Sequence, residues 1–120
     1  MILADTSIWV DHLRRGNAML TDQLKRTQIL MHPFVLGELA CGNLRDRAAD
    51  MKLFANLPGS PVADENEVLL FIEERSLMGR GVGYIDVHLL AAVALEGFSS
   101  LWTRDKRLHQ VAAELGLAHT

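Results

Sequence analysis

Met1-Ile2-Leu3-Ala4-Asp5-Thr6-Ser7-Ile8-Trp9 is an apolar run that meets a carboxylate and then two hydroxyls. Ile2–Ala4 reads as a short strand, and a helix begins at Thr6 and continues to about Arg14, with no loop between the two. An isolated ionised carboxylate in apolar surroundings is costly unless it is paired or bound to a cation. Three further acids share that predicament. Glu38 lies within Phe34-Val35-Leu36-Gly37-Glu38-Leu39-Ala40-Cys41, Asp86 opens an apolar helix that runs from Val87 to Leu95, and Asp105 follows Ser100-Leu101-Trp102-Thr103.

The strand-to-helix junction at Asp5 recurs along the chain. A second helix over about Ala18–Arg26 follows the break at Gly16-Asn17, and a strand over Gln28–Met31 leads to Pro33, a residue suited to the first turn of a helix ending near Cys41. Gly42-Asn43 closes that helix and another spans about Arg45–Ala55. Pro58-Gly59-Ser60-Pro61 is a turn, with a short strand expected at Val62-Ala63. Asp64 and Glu67 have the spacing of a capping box before apolar Val68, Leu69, Phe71 and Ile72. Gly79-Arg80-Gly81-Val82-Gly83 is a flexible loop into a helix from Tyr84 to Leu95. Ser99–Trp102 is a strand, Asp105–Leu115 an amphipathic helix with Gly116 at its end, and Leu117-Ala118 a last short strand. Short strands alternating with helices predict an α/β fold: a single domain over residues 1–120 with a short, mostly parallel central sheet flanked by helices. Sites in such sheets gather at the carboxyl ends of the strands, where Asp5 and Asp105 fall.

Composition narrows the classes. Of 120 residues, 49% are hydrophobic and 22% charged, which favours a folded domain over a disordered one. No apolar run approaches the roughly 18 residues that cross a bilayer, and no basic segment precedes the apolar start, so neither a membrane span nor a signal peptide is expected. The one cysteine, Cys41, leaves no internal disulfide and fits a reducing compartment, the cytoplasm, as a small core residue. A net charge of −3 does not announce nucleic-acid binding, yet basic residues come in groups: Arg14-Arg15, Lys25-Arg26, Arg45 with Arg47, and Arg104 with Lys106-Arg107 around Asp105.

Each acid has an ordinary explanation. Asp5 and Asp105 are N-cap residues in type and place, and Glu38 has arginines such as Arg45 or Arg80 available as partners. Asp86 is harder to explain so, because Leu89 and Leu90 share its helix face. Together the four are oxygen donors of the kind that Mg²⁺ or Mn²⁺ prefers, with Thr6, Ser7 and Thr103 placed to orient carboxylates or waters. Such a set supports metal-assisted attack of water on a phosphodiester. Five scattered histidines give no zinc spacing with Cys41, and the Gly79–Gly83 loop lacks the Lys-Ser/Thr of a P-loop. Asp11 is expected to pair with Arg14 or Arg15, and Trp9 to pack in the core or at a dimer contact. The surplus of apolar residues on short helices hints at an interface.

Leu3-Ala4-Asp5-Thr6-Ser7, Gly37-Glu38-Leu39, Gly83-Tyr84-Ile85-Asp86-Val87-His88-Leu89-Leu90-Ala91-Ala92 and Trp102-Thr103-Arg104-Asp105, in that order, resemble the PIN-domain ribonucleases, and more narrowly VapC-type toxins of toxin–antitoxin pairs. The resemblance covers essentially the whole chain. It implies a Mg²⁺- or Mn²⁺-dependent endoribonuclease acting on structured RNA, with the acidic positions at Asp5, Glu38, Asp86 and Asp105. Asp5, Asp86 and Asp105 are then the metal ligands, and Glu38 holds or activates water. Thr6, Ser7 and Thr103 support these groups, and Arg104, Lys106 and Arg107 receive the RNA backbone. It also implies a VapB-type antitoxin and a homodimer. Lys106-Arg107-Leu108-His109 stands where some members carry a further acid, which leaves the minimal metal set.

Two other classes are open to a chain of this kind. A phosphohydrolase using a covalent aspartate needs a second Asp two residues after the first, and Ser7 occupies that place. A non-catalytic PIN-like module would use the same acids to bind a basic partner segment without turnover.

Overall fold

The computed structural model describes residues 1–120. Its first strand, β1 (Ile2–Ala4), passes directly into α1 (Thr6–Arg15); α2 (Ala18–Lys25) and β2 (Ile29–Leu30) follow. Next come α3 (Pro33–Ala40), α4 (Arg47–Ala55), α5 (Glu65–Arg75) and α6 (Tyr84–Glu96), and then β3 (Ser100–Trp102) and α7 (Lys106–Glu114). The sheet has the order β2-β1-β3 and is parallel throughout, with Leu3 opposite Leu30 on one side and Leu101 on the other. Parallel bridges from Met31 to Gly59 and from Leu101 to Ala118 extend both edges.

β1 is central and apolar on both faces, buried along its whole length. Leu3 and Ala4 are fully buried, and Ile2 is nearly so. Removing a side chain the size of Leu3 from water contributes about 1.5–3 kcal/mol, and a doubly covered strand gains this on both faces. The helix α6 supplies much of one covering layer, with every residue from Val87 to Val93 buried. An edge-to-face contact between Trp9 and Phe54, ring centres 5.2 Å apart, ties α1 to α4. Trp9 is a core residue, as its spacing predicts.

The order of strands places a switch point at β1. The chain leaves β1 to form β2 on one side and returns to form β3 on the other, so a crevice opens beyond the carboxyl ends of β1 and β3. A hydrogen bond from Asp5 N–H to the Trp102 carbonyl, 3.0 Å long, carries the pairing one residue past β1 and fixes Asp5 beside the end of β3.

Four expectations are corrected. Val62-Ala63 forms no strand; the neighbour of β2 is Gly59, whose bridge to Met31 takes the open edge first. Cys41 is exposed and Glu38 is exposed, so neither belongs to a buried stripe. The helix α3 buries Val35 and Leu39 instead, and its face of Phe34, Gly37, Glu38 and Cys41 looks outward. Asp105 is likewise exposed, held at the rim by its capping role.

Candidate active site

Asp5 is the deepest of the four acids, 6% exposed at the end of the central strand. It caps α1: Oδ1 accepts the Ile8 backbone N–H at 3.2 Å and the Ser7 hydroxyl at 2.5 Å. Its other oxygen, Oδ2, accepts the hydroxyl of buried Thr103 at the end of β3. Thr103 in turn accepts the backbone N–H of Asp105 at 3.0 Å, and Asp105 Oδ1 caps α7 through the Leu108 N–H at 3.0 Å. The N-cap roles of Asp5 and Asp105 are thus real, and one hydroxyl links the two acids across the switch point.

Glu38 comes from α3 and accepts the Thr6 hydroxyl at 2.7 Å, which brings it to the start of α1 beside Asp5. Asp86 lies in the first turn of α6, whose N-cap is Gly83, so it is not itself the cap. It is half-buried.

Electrostatics shows that the four form one group. Burial holds the Asp5 carboxyl above the usual carboxylate range, against the pull of the Ser7 and Thr103 hydroxyls and the Ile8 N–H. Asp86 is raised as well, first by burial and next by the charge of Asp5. The Gly83 N–H opposes this, and Asp105 and Glu38 add smaller pushes. Like charges facing one another off a buried strand end favour a cation among them. The donors are all oxygen, which fits a hard ion such as Mg²⁺ or Mn²⁺. No three His, Cys, Asp or Glu side chains are preassembled as a cage. Mg²⁺ is suited to so loose a set, since it takes one or two carboxylates and keeps several waters.

The predicted residues Asp5, Glu38, Asp86, Asp105, Thr6, Ser7 and Thr103 are therefore brought together. The basic residues part company. Arg104 turns its guanidinium to Asp11 and gives its backbone N–H to Ser7 Oγ at 2.9 Å. Arg107 lies across the α6 entry loop, so close to Gly81 that a Cβ there would stand 2.8 Å from its Nη1. Lys106 is exposed.

Sequence reasoning passed over two neighbours of this centre. Asp11 pairs with Arg15 at 2.8 Å, as expected, but also with Arg104, and the signal lay in the helical spacing of Ser7 and Asp11. His32 caps α3 by accepting the Phe34 N–H at 3.0 Å. It begins a ladder of rings, His32–Phe34–His88–Tyr84, with centres 5.1, 4.7 and 4.6 Å apart. Phe34 and Ile85 reach the surface in a pocket shared with Thr6 and Glu38.

A parallel sheet with acids at its switch point fits a PIN-like nuclease, and the PIN-domain family model matches residues 2–114. The chain belongs to the PIN-domain family. It is also similar to Ribonuclease VapC32 of Mycobacterium tuberculosis, in strains CDC 1551 / Oshkosh and ATCC 25618 / H37Rv alike. In each case 47% of 118 aligned residues are identical, over 98% of this chain and 95% of the relative.

Proposed function

We propose that this chain is a VapC-type endoribonuclease, the toxin of a toxin–antitoxin pair. Its one PIN domain, over residues 1–120, cuts structured RNA through Asp5, Glu38, Asp86 and Asp105 with Mg²⁺ or Mn²⁺. The reading is carried above all by the burial of Asp5 at the strand switch point within the field of the other three acids. The 47% identity to a relative named as a ribonuclease supports it.

A bound divalent cation supplies charge stabilisation at the phosphoryl oxygens and makes a ligated water more acidic. Asp5, Asp86 and Asp105 are the residues to hold it, directly or through water. The hydroxyls of Ser7 and Thr103 fix both oxygens of Asp5, so its carboxylate is oriented before substrate arrives. Glu38, held by Thr6 and open to solvent, takes the proton of the attacking water as the water oxygen bonds to phosphorus, and the bond to the leaving ribose oxygen breaks as that oxygen takes a proton from solvent. Arg104, Lys106 and Arg107 stand on the rim, where the RNA backbone passes.

A VapB-type antitoxin is the partner that silences this site. Exposed Leu69, Leu70, Leu95 and Phe98, the last 89% exposed, offer apolar surface for a second copy of the chain. No helix is long and apolar enough to cross a membrane. The cytoplasm, where the RNA is, is the place of action.

The test is incubation of purified protein with total cellular RNA, with and without Mg²⁺ or Mn²⁺, beside Asp5→Asn. Discrete fragments that require the ion and vanish in the variant are the expected result. Equal, ion-independent fragments from wild type and variant would overturn the assignment.

A further inference from the structure

Beside the acidic centre lies a cleft of opposite character. It has a volume of about 630 Å³ and is lined by Ser7, Val10, Asp11, Arg14, Arg15 and Arg104. Three arginines and one carboxylate line it, and Arg15 and Arg104 reach that carboxylate. The Asp11 side chain is only 14% exposed and sits beneath the outward guanidinium groups of Arg15 and Arg104, 70% and 49% exposed. Arg15 holds the Asp11 carboxyl below the usual carboxylate range, with burial opposing and Arg104 assisting. Asp11 therefore stays charged and aligns two cations while cancelling one. Arg14 is in none of the four salt bridges and keeps its charge unanswered.

The cleft and the acidic centre share a wall. Ser7 Oγ accepts the Arg104 backbone N–H at 2.9 Å and donates to Asp5 Oδ1 at 2.5 Å. An RNA strand threading the acidic centre has to present its neighbouring phosphates to whatever lies alongside. Planar guanidinium groups pair with phosphate oxygens in a bidentate way that an ammonium cannot match.

We propose that this cleft between α1 and the β3–α7 turn binds a backbone phosphate of the RNA next to the one being cut, with Arg14, Arg15 and Arg104 as its donors. The proposal rests on the ribonuclease reading. Its occupant is a phosphodiester strand, and an acidic protein segment is the rival that the experiment tells apart.

The experiment measures the affinity of fluorescent transfer RNA over a series of salt concentrations, in an Asp86→Asn background that leaves the RNA uncut. The chain carrying Arg14→Gln, Arg15→Gln and Arg104→Gln is compared with its parent, with Asp11→Asn, and with Arg26→Gln outside the cleft. Each phosphate contact contributes about 0.7–0.9 to the slope of log affinity against log salt, so the triple variant, which loses one such contact, should lose about 0.7–0.9 in slope and bind several-fold more weakly near 100 mM salt. Asp11→Asn, which removes the competing anion, should bind several-fold more tightly, an effect that mere support of the fold would not produce. Arg26→Gln should match the parent.

An unchanged slope in a triple variant that melts like its parent would overturn the proposal. So would loss of affinity for a polyglutamate peptide with RNA binding intact, which would assign the cleft to an acidic partner. If the triple variant does not fold, Asp11→Asn decides alone, and unaltered affinity there overturns the proposal. Intact RNA cleavage by the wild type alongside any of these results leaves the ribonuclease reading standing. A wild type that neither binds nor cuts RNA removes both.

Discussion

The hydroxyl of Thr103 donates to Asp5 across the join of β1 and β3, two residues that lie 98 positions apart in the chain. The same oxygen accepts the Asp105 N–H, so one small side chain sets two of the four acids. Valine has the same shape without the hydroxyl. Thr103→Val should leave the buried Asp5 oxygen and the Asp105 N–H unmet and lower stability by about 1–3 kcal/mol. Loss of an orienting partner should lower metal affinity or cleavage about 10–100-fold. Denaturant unfolding and a cleavage assay read the two effects, and Thr103→Ser should restore most of both. Full cleavage by the valine variant would remove Thr103 from the machinery.

Asp86 gives a prediction with a definite sign. Its folded-state affinity for a proton is raised, so the folded chain binds more protons than the unfolded one between the ordinary carboxylate pKa and the raised one. Stability from this group is therefore present at acid pH and is lost as pH rises through the raised value. Without divalent cations, Asp86→Asn should melt higher than wild type at pH 7.5, and the gap should close as pH falls into the carboxylate range. It should also abolish any stabilisation of the folded chain by Mg²⁺ or Mn²⁺, since a ligand that binds only the native state raises its melting point. Thermal melts of both proteins, with and without the ions, check this. A variant that melts lower than wild type at neutral pH would show that the field around Asp86 is already balanced.

His32 works in the other direction. It is fully buried, and burial first and the neighbouring His88 second hold its pKa down to about 4 from 6.5. The unfolded chain takes up the proton before the folded one does, so stability is intact above about pH 6.5 and falls as pH drops toward 4. The loss is on the order of 3 kcal/mol at one pKa unit to 1.36 kcal/mol. Urea unfolding between pH 7 and pH 4.5 should show a steeper fall for wild type than for His32→Asn, which keeps a capping side chain and cannot titrate. Parallel curves for the two would mean that His32 takes up its proton at the same pH in the folded and the unfolded chain.

Gly81 is constrained twice, by a φ of +79° and by Arg107, whose Nη1 and Cδ would lie 2.8 and 2.9 Å from an added Cβ. Gly81→Ala should cost about 1 kcal/mol for the backbone alone, and more for the displaced arginine. Adding Arg107→Ala should recover the steric part and not the backbone part. A double-mutant cycle on unfolding free energies separates them, and strict additivity would show that the two residues do not touch in solution.

The residues explain what could be read in advance. Asp5 was legible because a strand that turns into a helix without a loop leaves its junction residue at a strand end, and Asp105 because it stands as a helix cap three residues past β3. Asp86 was legible because α6 is apolar around nearly its whole circumference, so one charge stands out. Glu38 was found for a reason that fails: α3 is eight residues long and too rich in apolar residues for periodicity to say which side faces in. Its outer face carries Phe34, Glu38 and Cys41. The meeting of Arg104 with Asp11 was beyond the sequence, because it depends on how β3 registers against β1.

The order β2-β1-β3 also bears on the birth of the molecule. Asp5 is made among the first residues, yet the strand that completes its surroundings spans Ser100–Trp102. A ribosome translating this chain holds an acid without its hydroxyl partner until β3 has left the exit tunnel. A nuclease assembled in that sequence has an incomplete centre for as long as β3 is still to be made.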